Sequence, residues 1–242
     1  MKEINKKERI LILGASGFIG NTLYKELCGY FKTFGTYYVP KREFEKNQHF
    51  VQFDHTEDDI FEILNFVKPT IVISSLRGDF NSQLTCHQHI IEYILNNNSR
   101  LLFISSSNVF DGYSKYPSYE NEKTLSHSIY GHFKIKIENM LMKLPKKKWV
   151  ILRLPMVLGQ HAPRIEEIKT LVKENKPIEV FPNIIMNVTS DDKVAQQVHY
   201  IINRNKTGIF HLGSNDLVHH DDFIKEIVNT LALKNTIYKN VY

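Results

Sequence analysis

The sequence predicts an α/β fold with a doubly wound parallel sheet, and three observations point to it. Short apolar runs of strand length recur through the first two thirds of the 242 residues. Segments with helical apolar spacing separate these runs, and a glycine-rich turn follows the first of them. Strands that alternate with helices form βαβ units, whose helices cover both faces of a parallel sheet. Ligands of such sheets bind at the carboxyl ends of the strands.

Each predicted strand is a continuous apolar run, which is the pattern of a strand buried on both faces. The runs are residues 10–13, 33–39, 50–53, 71–74, 101–105 and 150–154. In the intervening segments the apolar residues recur every three or four positions, as on one face of a helix. These helices are predicted at residues 18–28, 58–67, 83–96 and 130–142.

The regular alternation ends at Pro155. The remaining sequence predicts helices at residues 163–174, 191–203 and 221–231 and strands at residues 178–181 and 208–212. We therefore predict a Rossmann-type domain over residues 1–155 and a small C-terminal substrate lobe over residues 156–242. Residues 208–212 are predicted to return to the sheet of the first domain.

Composition favours an intracellular protein with one good hydrophobic core. Hydrophobic residues make up 42% of the chain, and Cys28 and Cys86 are too few for a disulfide framework. The basic N-terminus precedes an apolar run of only four residues, shorter than the apolar region of a signal peptide. No run approaches the roughly 18 apolar residues of a membrane span. We predict a cytoplasmic location and no membrane partner.

The net charge of +5 and the pI of about 9.0 suit an anionic small-molecule ligand such as a nucleotide. The basic residues are scattered, so no nucleic-acid partner is predicted. The histidines include His87 and His89 on a predicted helix and the neighbours His219 and His220, which we interpret as solvated or helix-capping residues. Residues two apart on a helix do not face one another, so no metal site is predicted.

A phosphate-binding loop is predicted between the first strand and the first helix, where the sequence reads Gly-x-x-Gly-x-x-Gly. In dinucleotide-binding loops the first glycine permits a tight turn, the second lets the backbone approach the pyrophosphate, and the third lets the helix pack closely against the sheet. The helix N-terminus then presents N–H groups to the anion. A glycine turn without a ligand is the alternative. The predicted cofactor contacts here are Gly14, Ser16, Gly17, Phe18, Ile19 and Gly20.

The residues after the second strand favour NADP(H), while NAD(H) stays open. NAD-specific sites carry an acidic residue about 20 residues beyond the loop, which binds the ribose 2′-hydroxyl. Here Lys41 and Arg42 come first, and the nearest carboxylate is Glu43. Both cations are suited to a 2′-phosphate through charge-assisted hydrogen bonds, with plain solvation as the alternative. Asp54, at the end of the third strand, is predicted either to accept from the adenine amine or to stabilise a strand-end turn.

Three side chains in a fixed order predict a hydride-transfer site. Ser105, Ser106 and Ser107 follow the fifth apolar run, and Tyr130 and Lys134 begin the next helix. A tyrosine and a lysine four residues apart lie on one face of a helix, which brings the ammonium group close to the phenol. With the phosphate-binding loop upstream, this order indicates a tyrosine that exchanges a proton while a dinucleotide exchanges a hydride.

These motifs resemble the extended short-chain dehydrogenase/reductase superfamily, and within it the dTDP-4-dehydrorhamnose reductase-like branch of sugar-nucleotide reductases. The resemblance rests on the glycine loop, Val-Phe-Asp-Gly at residues 109–112, Tyr130 followed by Gly131, and Lys134. It covers residues 8–160 well and residues 161–242 loosely. Glu120 and Glu138 also match family positions, and for both we predict a surface or structural role.

The resemblance implies that Tyr130 is the general acid that protonates the substrate carbonyl oxygen. It implies that Lys134 binds the nicotinamide ribose and, together with the oxidised nicotinamide, lowers the pKa of Tyr130. Ser106 would hold the substrate oxygen by a hydrogen bond, although the neighbouring serines leave this register open. Dehydratases of the superfamily carry an Asp-Glu pair where this chain has Ser107 and Asn108. Dehydration therefore lacks its acid and base, and these two residues are predicted to bind substrate.

The predicted cofactor groove departs from the family pattern after the fourth strand. Ser74, Ser75 and Leu76 stand where the family has Asn-Ala-Ala, and we predict that they line the groove. Pro155 and Val157 occupy the place where the family's backbone meets the nicotinamide amide.

The substrate contacts are less sharply predicted. Arg164 is the candidate for a substrate phosphate, with an ordinary surface position as the alternative, and Asn187 and Thr189 are candidates for the nucleotide base. The predicted function is the NADP(H)-dependent reduction of the 4-keto group of a nucleotide-linked deoxysugar. Two alternatives stay open: an epimerase that keeps its cofactor bound, and a non-catalytic NADP-binding subunit like the regulatory subunit of methionine adenosyltransferase. The predicted partner is the nucleotide sugar, and a homodimer is left open.

Overall fold

The computed structural model describes residues 5–113 and 117–242. Over these ranges the chain forms two compact units. The first comprises the described part of Met1–Leu154 together with Ala195–His211, and the second comprises Pro155–Val194 and Leu212–Tyr242. The assignment of cofactor binding to residues 1–155 and of substrate binding to residues 156–242 stays a prediction.

The described ranges contain strands and α-helices in regular alternation as far as β6. The strands are β1 (Asn5–Leu13), β2 (Phe31–Tyr37), β3 (Phe50–Gln52), β4 (Ile71–Ser74), β5 (Arg100–Ser106), β6 (Trp149–Leu154), β7 (Met156–Leu158), β8 (Ile178–Val180), β9 (Ile185–Ser190), β10 (Gly208–His211), β11 (Leu217–His219) and β12 (Tyr238–Asn240). The α-helices are α1 (Phe18–Leu27), α2 (Arg42–Glu45), α3 (Ile60–Val67), α4 (Phe80–Asn96), α5 (Ile129–Met142), α6 (Pro163–Lys173), α7 (Asp191–Asn203) and α8 (His220–Thr230).

The first unit is built on a parallel sheet whose described strands follow the order β10-β6-β5-β4-β1-β2-β3. The chain winds outward from β1 to β3 and then crosses back to β4 on the other side of β1, so the sheet is doubly wound. The Rossmann-type α/β fold predicted from the sequence is confirmed. Residues 208–211 pair with β6, with Gly208 opposite Val150.

The core of the first unit forms because the central strands are apolar on both faces. Leu11, Val72, Phe103 and Ile151 from four adjacent strands are at most 1% exposed, and helices α3, α4 and α5 pack their apolar faces against them. This continuous burial explains why apolar runs predicted these strands so well. In the described part of the chain, no helix combines the length and apolar character that crossing a membrane requires.

The second unit contains two small sheets. Strand β9 lies between β7, which is parallel to it, and β11, which is antiparallel, while β8 pairs with β12. Its core joins Ile168 of α6, Ile178 of β8 and Ile224 of α8, each fully buried. The sequence analysis did not predict β7, β9, β11 or β12. Strands β7, β11 and β12 have three residues each, and most side chains of all four strands are half-buried or exposed, so none has the long buried apolar run that marks β5 and β6.

Candidate active site

The predicted phosphate-binding loop is a tight turn that requires glycine at two positions. Gly14 has a φ of 77°, a left-handed conformation that favours glycine. A Cβ at Gly20 would overlap the carbonyl oxygen of Gly14 and would lie 2.7 Å from Ser75 Oγ. Helix α1 can therefore approach the end of β1 this closely only with glycine at residue 20.

Neighbouring strands hold the loop in place. The N–H of Gly14 donates to Thr36 Oγ1 (2.9 Å), and the N–H of Ser16 donates to Thr36 O (3.2 Å). On the other side, Ser75 donates to Leu13 O from its backbone N–H (3.0 Å) and from its hydroxyl (2.8 Å). The Ser75 hydroxyl thus fixes the shape of the loop, a role that the sequence prediction did not include.

The first turn of α1 is suited to an anion. Gly17 is the N-cap residue, it makes no side-chain cap hydrogen bond, and the first turn contains no acidic residue. The N–H groups that open a helix lack intrahelical partners and carry partial positive charge. Phe18 and Ile19 contribute their backbone N–H groups to this turn. The residues present fit the pyrophosphate of a dinucleotide.

The residues that follow β4 differ in their surroundings. Ser74 is 1% exposed, and its hydroxyl has no hydrogen-bond partner among the described residues. Leu76 is partly buried and packs against the hydrophobic core. Arg77, which the sequence analysis did not single out, is exposed, and its positive charge acts on Tyr130. A cation directly after a central parallel strand is the signal that could have identified it, because ligands bind at that edge.

Lys41 and Arg42 lie just beyond β2, where the sequence predicts a 2′-phosphate. Both side chains are exposed, and together with Glu43 and Lys46 they line an open depression of about 560 Å³. Three cations against one carboxylate give this surface a positive charge, which suits a phosphate group.

Asp54 follows β3 and is tied into the turn that leads to α3. Its Oδ1 accepts from the N–H (2.9 Å) and the hydroxyl (2.6 Å) of Thr56, and its own N–H donates to Asp58 Oδ2 (2.7 Å). The hydrogen bonds from Thr56 lower the pKa of Asp54. Two roles were predicted for Asp54. The structure shows the role in stabilising the turn, and a contact with adenine stays a prediction.

Ser106, Tyr130 and Lys134 converge at the carboxyl end of β5. Ser106 is the last residue of β5, and Tyr130 and Lys134 lie one turn apart on α5. The Ser106 side chain interacts with the Tyr130 phenol, and Lys134 Nζ lies 5.5 Å from the centre of the Tyr130 ring. Helix α5 begins next to the site because Ser128 caps it by accepting from the N–H of Gly131 (3.0 Å).

The three neighbouring serines have different partners. Ser105 is buried and donates to Glu138 Oε1 (2.6 Å), whereas Ser107 is exposed. Ser106 donates to Asn108 Oδ1 (2.9 Å) and accepts from the N–H of Asn108 (3.2 Å). Ser106 is therefore the serine whose hydroxyl meets the tyrosine, and the exposed Asn108 side chain orients it.

The surroundings of Tyr130 within the protein raise its pKa. The side chain is 40% exposed, yet burial around the phenol raises its pKa, while the interaction with the Ser106 side chain and the charge of Arg77 act against that rise. The lowering expected from Lys134 together with an oxidised nicotinamide stays a prediction. A phenol whose pKa is raised keeps its proton at neutral pH.

Lys134 is held inside the unit rather than at its surface. It is 5% exposed, its ammonium group donates to Ile104 O (2.9 Å), and Nζ lies 4.7 Å from the centre of the Phe103 ring. Burial lowers the pKa of Lys134 to about 7, although the carboxylate of Glu138 opposes this change. A lysine with such a pKa can gain or lose its proton near neutral pH.

A buried ion pair supports α5 behind the site. Arg153 donates to Glu138 from Nε (3.1 Å, to Oε1) and from Nη2 (2.8 Å, to Oε2). Arg153 Nη1 also donates to Glu120 O (3.1 Å), and Glu120 Oε1 accepts from the N–H of His211 (3.1 Å). A surface or a structural role was predicted for Glu138. The structural role is correct, because Glu138 is fully buried. An arginine inside the apolar run 150–154 is the signal that could have revealed this pair, since a buried charge needs a partner.

Four of the predicted contacts lie in β7 and β9 or next to them, within the second unit. Pro155 directly precedes β7, and Val157 is the Cα partner of Thr189 across β7 and β9. Asn187 is engaged within the unit, since its Nδ2 donates to Ser214 O (2.7 Å) and its Oδ1 accepts from the Ser214 N–H (3.1 Å). Contacts of these residues with cofactor or base stay predictions.

Arg164 lies near the start of α6 and is partly buried. Its Nη1 donates to Glu167 Oε2 (2.9 Å), and its buried Nε has no hydrogen-bond partner within the described ranges. A phosphate contact of Arg164 stays a prediction.

Two histidines that we interpreted as solvated or capping are buried instead. His87 is fully buried in α4, and His220 is 7% exposed and accepts at Nδ1 from the Phe181 N–H (3.2 Å). The interpretation failed because helical spacing alone does not show which face of a helix is covered. Among the described residues, no three or more His, Cys, Asp or Glu side chains are grouped so as to hold a metal ion.

The sequence matches the protein family described as RmlD substrate binding domain over residues 8–241. A dTDP-4-dehydrorhamnose reductase of Aggregatibacter actinomycetemcomitans is 25% identical over 253 aligned positions, which cover 96% of this chain and 82% of the relative.

Solved structures show the same fold. A hypothetical dTDP-4-dehydrorhamnose reductase from Sulfolobus tokodaii has a TM-score of 0.80 at 20% identity, over 96% of this chain and 85% of the other. A UDP-glucuronic acid 4-epimerase from Bacillus cereus, solved with UDP-glucuronic acid and NAD, has a TM-score of 0.78 at 20% identity, again over 96% and 85%. At these identities the similarity concerns the fold alone.

Proposed function

Since the chain belongs to the RmlD substrate binding domain family, within the extended short-chain dehydrogenase/reductase superfamily, we propose that it reduces the 4-keto group of a nucleotide-linked deoxysugar with NADPH. The family membership confirms the resemblance predicted from the sequence. The observation that supports the activity is the convergence of Ser106, Tyr130 and Lys134 at the carboxyl end of β5.

Tyr130 is proposed to give its proton to the sugar oxygen. Burial raises the pKa of its phenol, so the proton is present at neutral pH. Ser106, whose side chain interacts with the same phenol, is proposed to hold the sugar oxygen by a hydrogen bond once its proton is released from Asn108 Oδ1. A nicotinamide, when bound, would supply the hydride. Arg77 favours the phenolate that remains after the proton has left.

The cofactor is proposed to be held by three parts of the first unit. The first turn of α1 suits the pyrophosphate, because no side chain caps its opening N–H groups. Gly20 lets this turn lie close to the end of β1. Lys134 is assigned to the nicotinamide ribose. Lys41 and Arg42 are assigned to the 2′-phosphate, for which the positive surface beyond β2 is the support. NADPH is therefore preferred to NADH.

The function is tested with purified protein, dTDP-4-dehydrorhamnose and either NADPH or NADH. Absorbance of the reduced nicotinamide follows the oxidation of NADPH, and NMR of the sugar follows the reduction of its keto group. We expect one NADPH oxidised for each sugar reduced, and kcat/KM for NADPH at least about 10-fold above that for NADH, the effect of about 1.4 kcal/mol from the phosphate contacts. Sugar inversion without net loss of NADPH would instead establish an epimerase, and tight NADPH binding without turnover would establish a binding subunit.

A further inference from the structure

The start of α5 lies directly against the turn that follows β5. Ser106 ends β5, and Tyr130 lies in the first turn of α5. A Cβ at Gly131 would overlap the carbonyl oxygen of Asn108 and the hydroxyl of Ser126. Because no side chain fits into such a gap, the residue after Tyr130 has to be glycine. The turn after the serine and the helix that carries the phenol are therefore in close backbone contact.

The chain returns to this turn just before α5 begins. Gly112 donates its N–H to Leu125 O (3.0 Å), and Leu125 donates its N–H to Val109 O (2.9 Å). The N–H of Asp111 donates to Asn108 O (3.3 Å), which closes the turn itself. These backbone hydrogen bonds bring residue 111 next to the residues that precede the helix.

The carboxylate of Asp111 binds the segment that leads into α5. Its Oδ1 accepts from the His127 N–H (2.6 Å), and its Oδ2 accepts from the Ser128 hydroxyl (2.5 Å). Ser128 Oγ in turn accepts from the N–H of Gly131 (3.0 Å), which caps the helix. Desolvation raises the pKa of Asp111, but the hydrogen bonds from Ser128 and His127 outweigh it and hold the pKa below its ordinary value. Asp111 is therefore a carboxylate at neutral pH, and hydrogen bonds to a carboxylate are among the strong ones in proteins.

The same series of contacts reaches Ser106 from its other end. Ser106 donates to Asn108 Oδ1 (2.9 Å) and accepts from the Asn108 N–H (3.2 Å), and Asn108 O accepts from Asp111. The Ser106 side chain also interacts with the Tyr130 phenol. The contacts thus form a closed ring, which runs through Ser106, Asn108, Asp111, Ser128 and the first turn of α5 with Tyr130. Asp111 and Ser128 supply the side-chain link of this ring between the serine turn and the tyrosine helix.

We propose that Asp111, through its hydrogen bond from Ser128, sets the position of the Tyr130 phenol relative to the Ser106 hydroxyl. The proposal rests on the proposed function, in which both groups meet one sugar oxygen. A displacement of about 1 Å between reacting groups can lower a rate about 100-fold, so this spacing matters for catalysis. Asp111 acts through Ser128 and is assigned no contact with sugar or cofactor, so it is a positioning residue. This role also gives a function to the Val-Phe-Asp-Gly sequence at residues 109–112.

Two variants of nearly equal size separate this role from helix capping. Ser128→Asn and Ser128→Asp can both accept from the Gly131 N–H and so cap α5. Only the asparagine also has an N–H group to donate to Asp111, whereas the aspartate has none and places a second negative charge beside it. We expect Ser128→Asp to lower kcat at least about 10-fold with KM within about twofold of the wild type, and Ser128→Asn to keep kcat within about threefold. A role limited to capping predicts equal kcat values for the two variants.

A second readout does not depend on turnover. In the free protein, the nuclear Overhauser effect between the Ser106 β-protons and the Tyr130 ring protons reports the spacing of the two side chains. We expect it to weaken in Ser128→Asp and in Asp111→Ala and to persist in Ser128→Asn. Asp59→Ala is the matched control, since Asp59 caps α3 by accepting a backbone N–H (2.9 Å). This control should lower the urea midpoint and leave kcat and the Overhauser effect unchanged.

A double variant tests the link itself. Asp111→Asn combined with Ser128→Asp again places an amide N–H opposite a carboxylate, with donor and acceptor exchanged. We expect its kcat to exceed that of Ser128→Asp alone at least about threefold. A double variant no faster than Ser128→Asp would count against the link.

Equal Overhauser effects in the wild type, Ser128→Asp and Asp111→Ala would overturn the proposal, whatever the activity. Equal kcat values for Ser128→Asp and Ser128→Asn, beside an active wild type, would overturn it as well. If Ser128→Asp fails to fold, Asp111→Ala decides by both readouts. Absence of any wild-type reduction defeats the proposed function instead, and the Overhauser effect still decides whether Asp111 positions Tyr130.

Discussion

Burial sets the proton affinity of the two titratable side chains on α5. The pKa of the Tyr130 phenol is raised and that of the Lys134 ammonium is lowered to about 7, because in both cases burial disfavours the charged form. One group holds a proton ready at neutral pH, and the other can exchange a proton there. Burial of Lys134 destabilises the folded protein, whereas the same lysine in solvent would not. We therefore attribute its buried position to the function of the site.

This destabilisation leads to a prediction for the variant Lys134→Met, which keeps the side-chain volume and removes the charge. The folded-state pKa of Lys134 is below its ordinary value of 10.5, so the folded protein binds fewer protons than the unfolded chain between those two values. The loss of stability caused by Lys134 is therefore complete below pH 7, and it disappears as the pH rises toward the pKa of this lysine in the unfolded chain. We expect Lys134→Met to be more stable than the wild type by about 2 kcal/mol or more at pH 6, with the gain shrinking by pH 9.

Urea denaturation at several pH values checks this expectation. Lys136→Met, an exposed lysine on the same helix, serves as the control and should change the free energy of unfolding by less than about 0.5 kcal/mol at every pH. A Lys134→Met protein that is less stable than the wild type at pH 6 would contradict the account of a destabilised buried lysine.

At the scale of single elements, the turn between β1 and α1 depends on close packing. Gly14, Thr36 and Ser75 form a hydrogen-bonded cradle around the turn, and α1 rests against it at Gly20. Because the contact at residue 20 is with backbone, the neighbour cannot rotate away. The same closeness brings the first N–H groups of α1 to the edge of the sheet, where an anion can reach them.

We therefore predict that Gly20→Ala costs about 1–3 kcal/mol of stability through overpacking and weakens NADPH binding at least about 10-fold. Gly29→Ala is the matched control, since a Cβ there meets nothing within 4 Å. Denaturation curves and fluorescence titration with NADPH measure the two effects. Equal behaviour of the two variants would show that the loop tolerates a side chain and that the packing argument fails.

The elements differ in how far the sequence predicts them. Strands β1, β4, β5 and β6 were identified because they are buried on both faces and so consist of apolar runs. Strands β11 and β12 of the second unit have three residues each and mostly exposed side chains, and each pairs with a neighbouring strand. The periodicity of apolar residues in the sequence does not indicate such pairing.

At the scale of the whole first unit, one buried ion pair joins elements that are distant in sequence. Arg153 of β6 binds Glu138 of α5, Glu138 accepts from Ser105 of β5, and Arg153 reaches the backbone of Glu120. Both ion-pair side chains are at most 2% exposed. The pair thus fixes α5, with Tyr130 and Lys134, against the strand that carries Ser106.

Removing one partner should be far more costly than removing both. Glu138→Leu leaves the Arg153 charge buried and unpaired, so we expect a loss of about 3–5 kcal/mol. The double variant Glu138→Leu with Arg153→Met should recover at least about 1 kcal/mol of that loss. Glu166→Ala, which breaks an exposed pair with Lys169, should cost no more than about 1 kcal/mol. Denaturation of the wild type and these three variants checks this, and a double variant no more stable than Glu138→Leu would contradict the coupling.

The candidate site could be predicted only in part from the sequence. The glycine loop and the pair Tyr130 and Lys134 have fixed spacings that local structure explains. The choice of Ser106 among three serines depends on the partners of Ser105 and Ser107, which only the packed structure shows. The raised pKa of Tyr130 likewise depends on burial, a property of the assembled unit.

The central claim is ketone reduction with Tyr130 as the proton donor, and one measurement tests it most directly. Single-turnover oxidation of NADPH by dTDP-4-dehydrorhamnose is followed for the wild type and for Tyr130→Phe, with NADPH binding measured in both. The account predicts equal NADPH binding and a rate at least about 100-fold lower in Tyr130→Phe, the loss of general-acid catalysis. Equal rates for the two proteins would contradict it.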